Sequence, residues 1–77
     1  MDLNEFIANF ADQIDDVDVS SIKADTEFKD LDEWSSMSAL AVIAMVDAEY
    51  DVQIKGDDIR NAETIEDLFN RVKEIKG

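Results

Sequence analysis

A 77-residue chain with 20 acidic and 7 basic residues, a formal net charge of −13, repels phosphates and is poorly suited to nucleic acid. It has no cysteine and no histidine, which excludes disulfides, a thiol of its own to carry a thioester, His/Cys metal sites and the usual general base near neutral pH. The length allows one domain, 1–77, and the periodic 45% apolar content without proline argues for a folded chain.

The first element is a helix over about residues 3–15. Leu3, Phe6, Ile7, Phe10 and Ile14 recur at spacings of three and four and line one face. Asp2, with Glu5 three residues on, has the spacing of a capping box with Asp in place of Ser or Thr.

Residues 16–35 form a long connection rich in Asp and Ser. Connections of this length are often functional. Its isolated apolar residues Val17, Val19, Ile22, Phe28, Leu31 and Trp34 are expected to anchor it against the helices. Asp16, Asp18, Ser20 and Glu27 fall at positions 1, 3, 5 and 12 of an EF-hand-like loop. Position 6 is Ser21 in place of glycine and position 8 is Lys23, so no metal site is expected.

A second helix is expected from Ser36 to about Asp51. The pair Ser35-Ser36 opens it. Serine is a preferred cap, and a helix N-terminus favours negative charge. The pair therefore reads both as a cap and as a candidate attachment point for a phosphate-linked group. Trp34 is expected to pack under the helix end as a hydrophobic staple, or else to lie along such a group. Ala39, Val42, Ile43, Val46 and Tyr50 form the core face, with Met37, Ala41, Ala44 and Ala48 opposite in a smooth, nearly uncharged stripe. Either the stripe reflects alanine's helix propensity, or it docks partners by shape and apolar contact. In the second case acidity acts from the flanks, at Asp30, Asp32, Glu33, Asp47, Glu49 and Asp51. Residues 30–54 hold those six acids and no Lys or Arg, which suits a basic partner.

Val52-Gln53-Ile54 alternate like a strand but have no second strand to join, and read as a loop tucked into the core. Gly56 permits a turn. Asp57 is expected to cap a short helix through about Asn61, with Ile59 pointing inward. Thr64 with Asp67 has the capping-box spacing for a last helix. Its face is Ile65, Leu68, Phe69, Val72 and Ile75, and it ends near Lys73, Lys76 and Gly77. The expected fold is all-α: a small four-helix bundle of three main helices and a short third helix, with a long loop between helices one and two.

This ordered set of segments resembles the acyl carrier protein family, the phosphopantetheine-binding four-helix domain. Asp25-Thr26-Glu27-Phe28-Lys29-Asp30-Leu31 is similar to the family's loop pattern, and Ser35-Ser36-Met37 stands where Asp-Ser-Leu is expected. Glu49-Tyr50-Asp51 matches the Glu-Phe-Asp at the end of helix two. Asp57-Asp58-Ile59 and Thr64-Ile65-Glu66-Asp67-Leu68 look like the family's third and fourth helices. The likeness covers essentially the whole chain.

The resemblance implies that a phosphopantetheinyl transferase attaches 4′-phosphopantetheine from coenzyme A to the Ser36 hydroxyl, between Ser35 and Met37. The arm's thiol then holds acyl intermediates as thioesters. The domain is then no enzyme but a monomeric carrier, presenting its cargo to acyl-transferring and synthase enzymes with basic docking surfaces. Ser36 follows from counting back from Glu49-Tyr50-Asp51. Counting forward through the loop, which has one residue more than the commonest Leu-Gly-x-Asp-Ser spacing, makes Ser35 the modified residue instead.

The chain departs from the family pattern around this site. Ser35 stands where the family has Asp, and Met37 where it has Leu. Family members place acids along the exposed face of helix two, but the matching positions here are Ser38, Ala41, Asp47 and Ala48. The expected partner surface is therefore Met37, Ser38, Ala41, Ala44, Asp47 and Ala48. The departure points to a specialised lipid or polyketide-type pathway instead of general fatty acid biosynthesis. Val42, Ile43, Val46, Ile54, Ile59 and Leu68 are aliphatic candidates to line a path for the acyl chain, and equally plain core. With no membrane-length apolar run and no signal-peptide pattern, a cytoplasmic protein with no membrane partner is expected. The competing reading is an unmodified helical interaction adaptor on the same fold, with Ser35-Ser36 acting only as a cap.

Overall fold

The computed structural model describes residues 2–14 and 17–77. They form α1 (Leu3–Ala11), α2 (Ser36–Tyr50), α3 (Gly56–Asn61) and α4 (Ile65–Lys76). Two short 3₁₀ turns, Val19–Ser21 and Phe28–Asp30, interrupt the long connection. No strand occurs among the described residues, so the all-α four-helix architecture is as expected. α1 packs against α2 and α4, and α3 against the same two helices.

α1 is shorter than its periodicity predicts. After Ala11 the chain tightens into i→i+3 bonds, from Gln13 N to Phe10 O (3.0 Å) and from Ile14 N to Ala11 O (3.1 Å). This turn swings Ile14 into the core, 4% exposed. Asp15, the expected end of the helix, lies outside the described residues. Asp2 caps α1 by accepting from Asn4 N at 3.0 Å. Its carboxylate thus bonds the second helical N–H, where the expected capping box would have bonded that of Glu5.

The apolar faces converge on an aromatic centre. The Phe6 ring lies 5.7 Å from Tyr50 and 5.4 Å from Phe69, joining α1, α2 and α4. Phe10 meets Phe28 edge-on at 5.1 Å, which brings the long connection into the same core. Ile22 and Phe28 are buried and Val17, Leu31 and Trp34 pack partly against the core. Val19 is the anchor that fails. It begins a 3₁₀ turn capped by Asp18, which accepts from Ser20 N and Ser20 Oγ, and it is 51% exposed. These bonds hold the Asp18 carboxyl below its ordinary range.

The connection is welded to α4 through the backbone. Ile65 N donates to Thr26 O (3.2 Å) and Glu66 N to Ala24 O (2.9 Å), giving partners to N–H groups that a helix start leaves unpaired. The expected capping box completes that start: Asp67 N donates to Thr64 Oγ1 and Thr64 N to Asp67 Oδ2, both at 3.1 Å. Ile65, Leu68, Phe69 and Val72 are buried as expected, but Ile75 emerges at 40% exposure in the last turn. There Lys76 Nζ donates to Tyr50 O at 2.9 Å, tying the C-terminal ends of α4 and α2 together.

α2 buries a wider arc than one stripe, because helices pack on both its flanks. Val42, Val46 and Tyr50 are buried, but so are Met45 (6%) and Ser38 (7%). Asp51 ends the helix in the left-handed region, φ 55° and ψ 41°, with its N–H on Asp47 O. Val52 and Ile54 then tuck into the core without forming a strand, as expected. Asp57 does not cap α3. Lys55 occupies the cap position, its N–H donating to Asp58 Oδ2 at 2.9 Å, while Asp57 pairs with Arg60. Gly56 is thus the first helical residue, in ordinary geometry with open space around it. Ile59 points inward as expected.

Candidate functional site

The approach to α2 is fixed by Trp34. Its indole stacks on Phe10 (5.9 Å between ring centres, 4° between planes) and meets Phe28 edge-on at 4.9 Å. It therefore packs as expected, though on α1 and the connection.

Next in the chain, Ser35 is extended (φ −146°, ψ 174°) and serves as the N-cap of α2. Its hydroxyl oxygen accepts from Ser38 N at 3.3 Å and lies 3.4 Å from Ser38 Oγ. Its carbonyl takes the first helical bond, from Ala39 N at 3.1 Å. Ser36 is the first residue with helical geometry, and it is exposed. The two adjacent serines are both exposed but differ in role: the Ser35 hydroxyl accepts in the cap, and Ser36 opens the positive end of a 15-residue helix. No acid lies in the first turn of α2, whereas α1, α3 and α4 carry Glu5, Asp57 with Asp58, and Glu66 with Asp67 in theirs.

Two clefts border α2, one at this end and one further along the helix. One, of about 350 Å³, lies towards α1 and is lined by Asp12, Gln13, Glu33, Ser35, Met37, Ser38 and Ala41. The other, of about 320 Å³, lies towards the segment before α3 and is lined by Leu40, Ile43, Ala44, Asp47, Gln53, Ile54 and Lys55. The first is edged by carboxylates and hydroxyls and the second mainly by aliphatic groups. A flexible arm bearing amides and hydroxyls on an aliphatic frame fits either. Of the aliphatic candidates for a chain-binding path, Ile43 and Ile54 border the second cleft. Val42, Val46, Ile59 and Leu68 belong to the packed core.

Along the expected partner surface, Met37 is 75% exposed, Ala44, Asp47 and Ala48 are exposed, and Ala41 is half-buried. Ser38 is the exception. As third residue of the helix it turns in towards the cap, and it is withdrawn from any partner. Leu40 takes its place, 65% exposed and absent from both expected faces of the helix. Its spacing of three from Met37 and four from Ala44 was a usable signal. Asp30, Asp32, Glu33, Asp47, Glu49 and Asp51 are all exposed.

The other charged clusters serve the scaffold. Arg71 Nε donates to Asp58 Oδ1 at 2.8 Å, linking α4 to the start of α3 and bordering a cavity of about 270 Å³. The Arg71 guanidinium, together with the Lys55 backbone N–H, holds the Asp58 carboxyl below its ordinary range. Lys29 Nζ donates to Arg60 O at 2.6 Å, fastening the connection to α3. Of the EF-hand-like positions, Asp18 is committed to its own turn and Asp16 lies outside the described residues.

The profile of one protein family, described as the phosphopantetheine attachment site, matches residues 5–72. No solved structure gives a significant match. The match runs from within α1 to within α4 and covers the connection, α2 and α3, and the chain belongs to the phosphopantetheine attachment site family. It is a phosphopantetheine-bearing carrier whose prosthetic group is covalent 4′-phosphopantetheine. Carrier domains of this family are generally non-catalytic and interact with phosphopantetheinyl transferases and synthase enzymes. No helix among the described residues is long and apolar enough to cross a membrane.

Proposed function

We propose that this chain is a non-catalytic acyl carrier over residues 1–77 whose phosphopantetheine arm is joined to the Ser36 hydroxyl. The observation that carries the assignment to Ser36 is the division of labour at the start of α2. Both serines are exposed, but Ser35 Oγ accepts from the Ser38 N–H as the cap, whereas Ser36 is the first helical residue. A phosphodiester at Ser36 would bring negative charge to a helix end whose first turn has no acid. Ser35 holds that end in shape, and Met37 is the exposed side chain that follows it. The bound group supplies a thiol on which acyl groups ride as thioesters. The chain itself holds the arm's root rigid and offers a surface to each partner.

The partner surface is Met37, Ala41, Ala44, Asp47 and Ala48, with Leu40 added and Ser38 removed. Only one acid, Asp47, lies on it, which supports service in a dedicated lipid or polyketide-type pathway. The absence of cysteine gives a clean test. The unmodified chain has no thiol to react with Ellman's reagent. After incubation with coenzyme A, Mg²⁺, a broad-specificity phosphopantetheinyl transferase and subsequent desalting, it should titrate one thiol per chain. A folded chain that still titrates none, beside a carrier that is modified normally, would leave the unmodified adaptor as the better reading.

A further inference from the structure

We infer that the phosphopantetheine arm, once joined to Ser36, lies back towards α1 in the polar cleft lined by Gln13 and Ser38. The inference rests on the carrier reading with Ser36 as the attachment residue.

Both clefts beside α2 have the size of a small-ligand site, about 300–1,000 Å³, so size does not choose between them. Position does. Ser35 and Met37, the chain neighbours of Ser36, both line the cleft on the α1 side. The first residue of α2 to line the other is Leu40, about 6 Å further along the helix axis. Chemistry points the same way. The arm carries amide groups and a hydroxyl on its aliphatic frame, and these need hydrogen-bond partners when they leave water. The α1-side cleft offers the Gln13 carboxamide, the Ser35 and Ser38 hydroxyls and the carboxylates of Asp12 and Glu33. Leu40, Ile43, Ala44 and Ile54 make up most of the other wall.

Ser38 is the residue that singles out this cleft. It is the one buried polar side chain among the described residues, 7% exposed. Its hydroxyl oxygen lies 3.4 Å from Ser35 Oγ, a long contact beside the usual O–H···O distance of about 2.5–3.0 Å. Ser35 Oγ already accepts from the Ser38 N–H. The Ser38 hydroxyl therefore keeps bonding capacity for an amide of the arm. No Lys or Arg lines the cleft, so the phosphodiester stays at the positive end of α2. The carboxylates of Asp12 and Glu33 then serve as acceptors for the arm's N–H groups.

The chain provides its own reporters, because its two glutamines are divided between the clefts, Gln13 in one and Gln53 in the other. The full chain, labelled with ¹³C and ¹⁵N, is loaded with an unlabelled arm from coenzyme A by a broad-specificity phosphopantetheinyl transferase. Isotope-filtered NOEs are then recorded from the arm's protons to the side-chain amides. Cross-peaks should reach Gln13 and not Gln53. Ser38→Ala, loaded in the same way and checked for fold by circular dichroism, lacks one hydrogen bond to the arm. Its ratio of seated to free arm should fall about fivefold, read as weaker cross-peaks to Gln13. Cross-peaks to Gln53 in place of Gln13, or to neither, overturn the seat, while the added mass on Ser36 leaves the carrier reading intact. Cross-peaks in Ser38→Ala as strong as in wild type overturn the part given to its hydroxyl. A wild type that never gains the arm, beside a working positive control, overturns both the seat and the carrier reading.

Discussion

Trp34 links the long connection to the core one residue before the cap of α2, and its removal gives a measurable loss. The half-buried indole contacts both Phe10 and Phe28. A Trp side chain buries about 150–250 Å² when fully enclosed. At half that area and about 25 cal/mol per Å², the burial is worth about 2–3 kcal/mol. The two ring contacts add about 0.5–1.5 kcal/mol each before relaxation. Trp34→Ala should therefore destabilise the fold by about 3 kcal/mol, a large share of the roughly 4–8 kcal/mol expected for a domain of this size. Trp34→Phe, which keeps a ring against both neighbours, should cost about 1 kcal/mol. Urea denaturation followed by far-UV circular dichroism measures both without relying on indole fluorescence. The reasoning fails if Trp34→Ala costs less than about 1 kcal/mol, or if Trp34→Phe costs as much as Trp34→Ala.

Two further substitutions follow from local geometry. Asp51 is an exposed residue in the left-handed region at the end of α2, so Asp51→Gly should stabilise by about 0.5–1 kcal/mol, read as a higher urea midpoint. Asp58→Ala removes the carboxylate that accepts the Lys55 N–H at the start of α3 and should cost about 1 kcal/mol near pH 7. The ion pair with half-exposed Arg71 adds little to that figure. Its pH dependence has a definite sign. The folded pKa of Asp58 is depressed, so its stabilisation is complete above the ordinary carboxylate range and is lost as pH falls through that range to the folded value. Urea midpoints of wild type and Asp58→Ala should therefore converge on going from about pH 7 to about pH 3.

The fold was legible wherever one helix face carried the apolar residues. The α4 face and its Thr64–Asp67 box are both present, apart from Ile75 beyond the packed turns. Boundaries were less legible at α1, because the switch from i→i+4 to i→i+3 bonding after Ala11 leaves the apolar spacing almost unchanged. α2 was the least readable helix. Neighbours on both flanks bury Met45 and Ser38, and a two-face reading has no place for a helix enclosed on more than one side. A two-face reading also left out Leu40, whose angular position lies between Ile43 on the core face and Ala44 on the exposed stripe. At α3, Asp57 and Asp58 are both plausible caps by residue type. Only the backbone path through Lys55 turns Asp58 towards the free N–H and Arg71. The difference between Ser35 and Ser36 was open in the sequence because counting back from the end of helix two gave Ser36 and counting forward through the loop gave Ser35. The helical path begins at Ser36, which gives Ser35 the cap.

The central claim, that Ser36 bears the arm while Ser35 shapes its root, is tested most directly by intact-mass spectrometry after reaction with coenzyme A, Mg²⁺ and the transferase. Wild type, Ser35→Ala and Ser36→Ala are compared, with folding checked because loss of the cap costs about 1 kcal/mol. The account predicts one added phosphopantetheine on wild type and on Ser35→Ala, and none on Ser36→Ala. Addition to Ser36→Ala, with loss in Ser35→Ala, would contradict it.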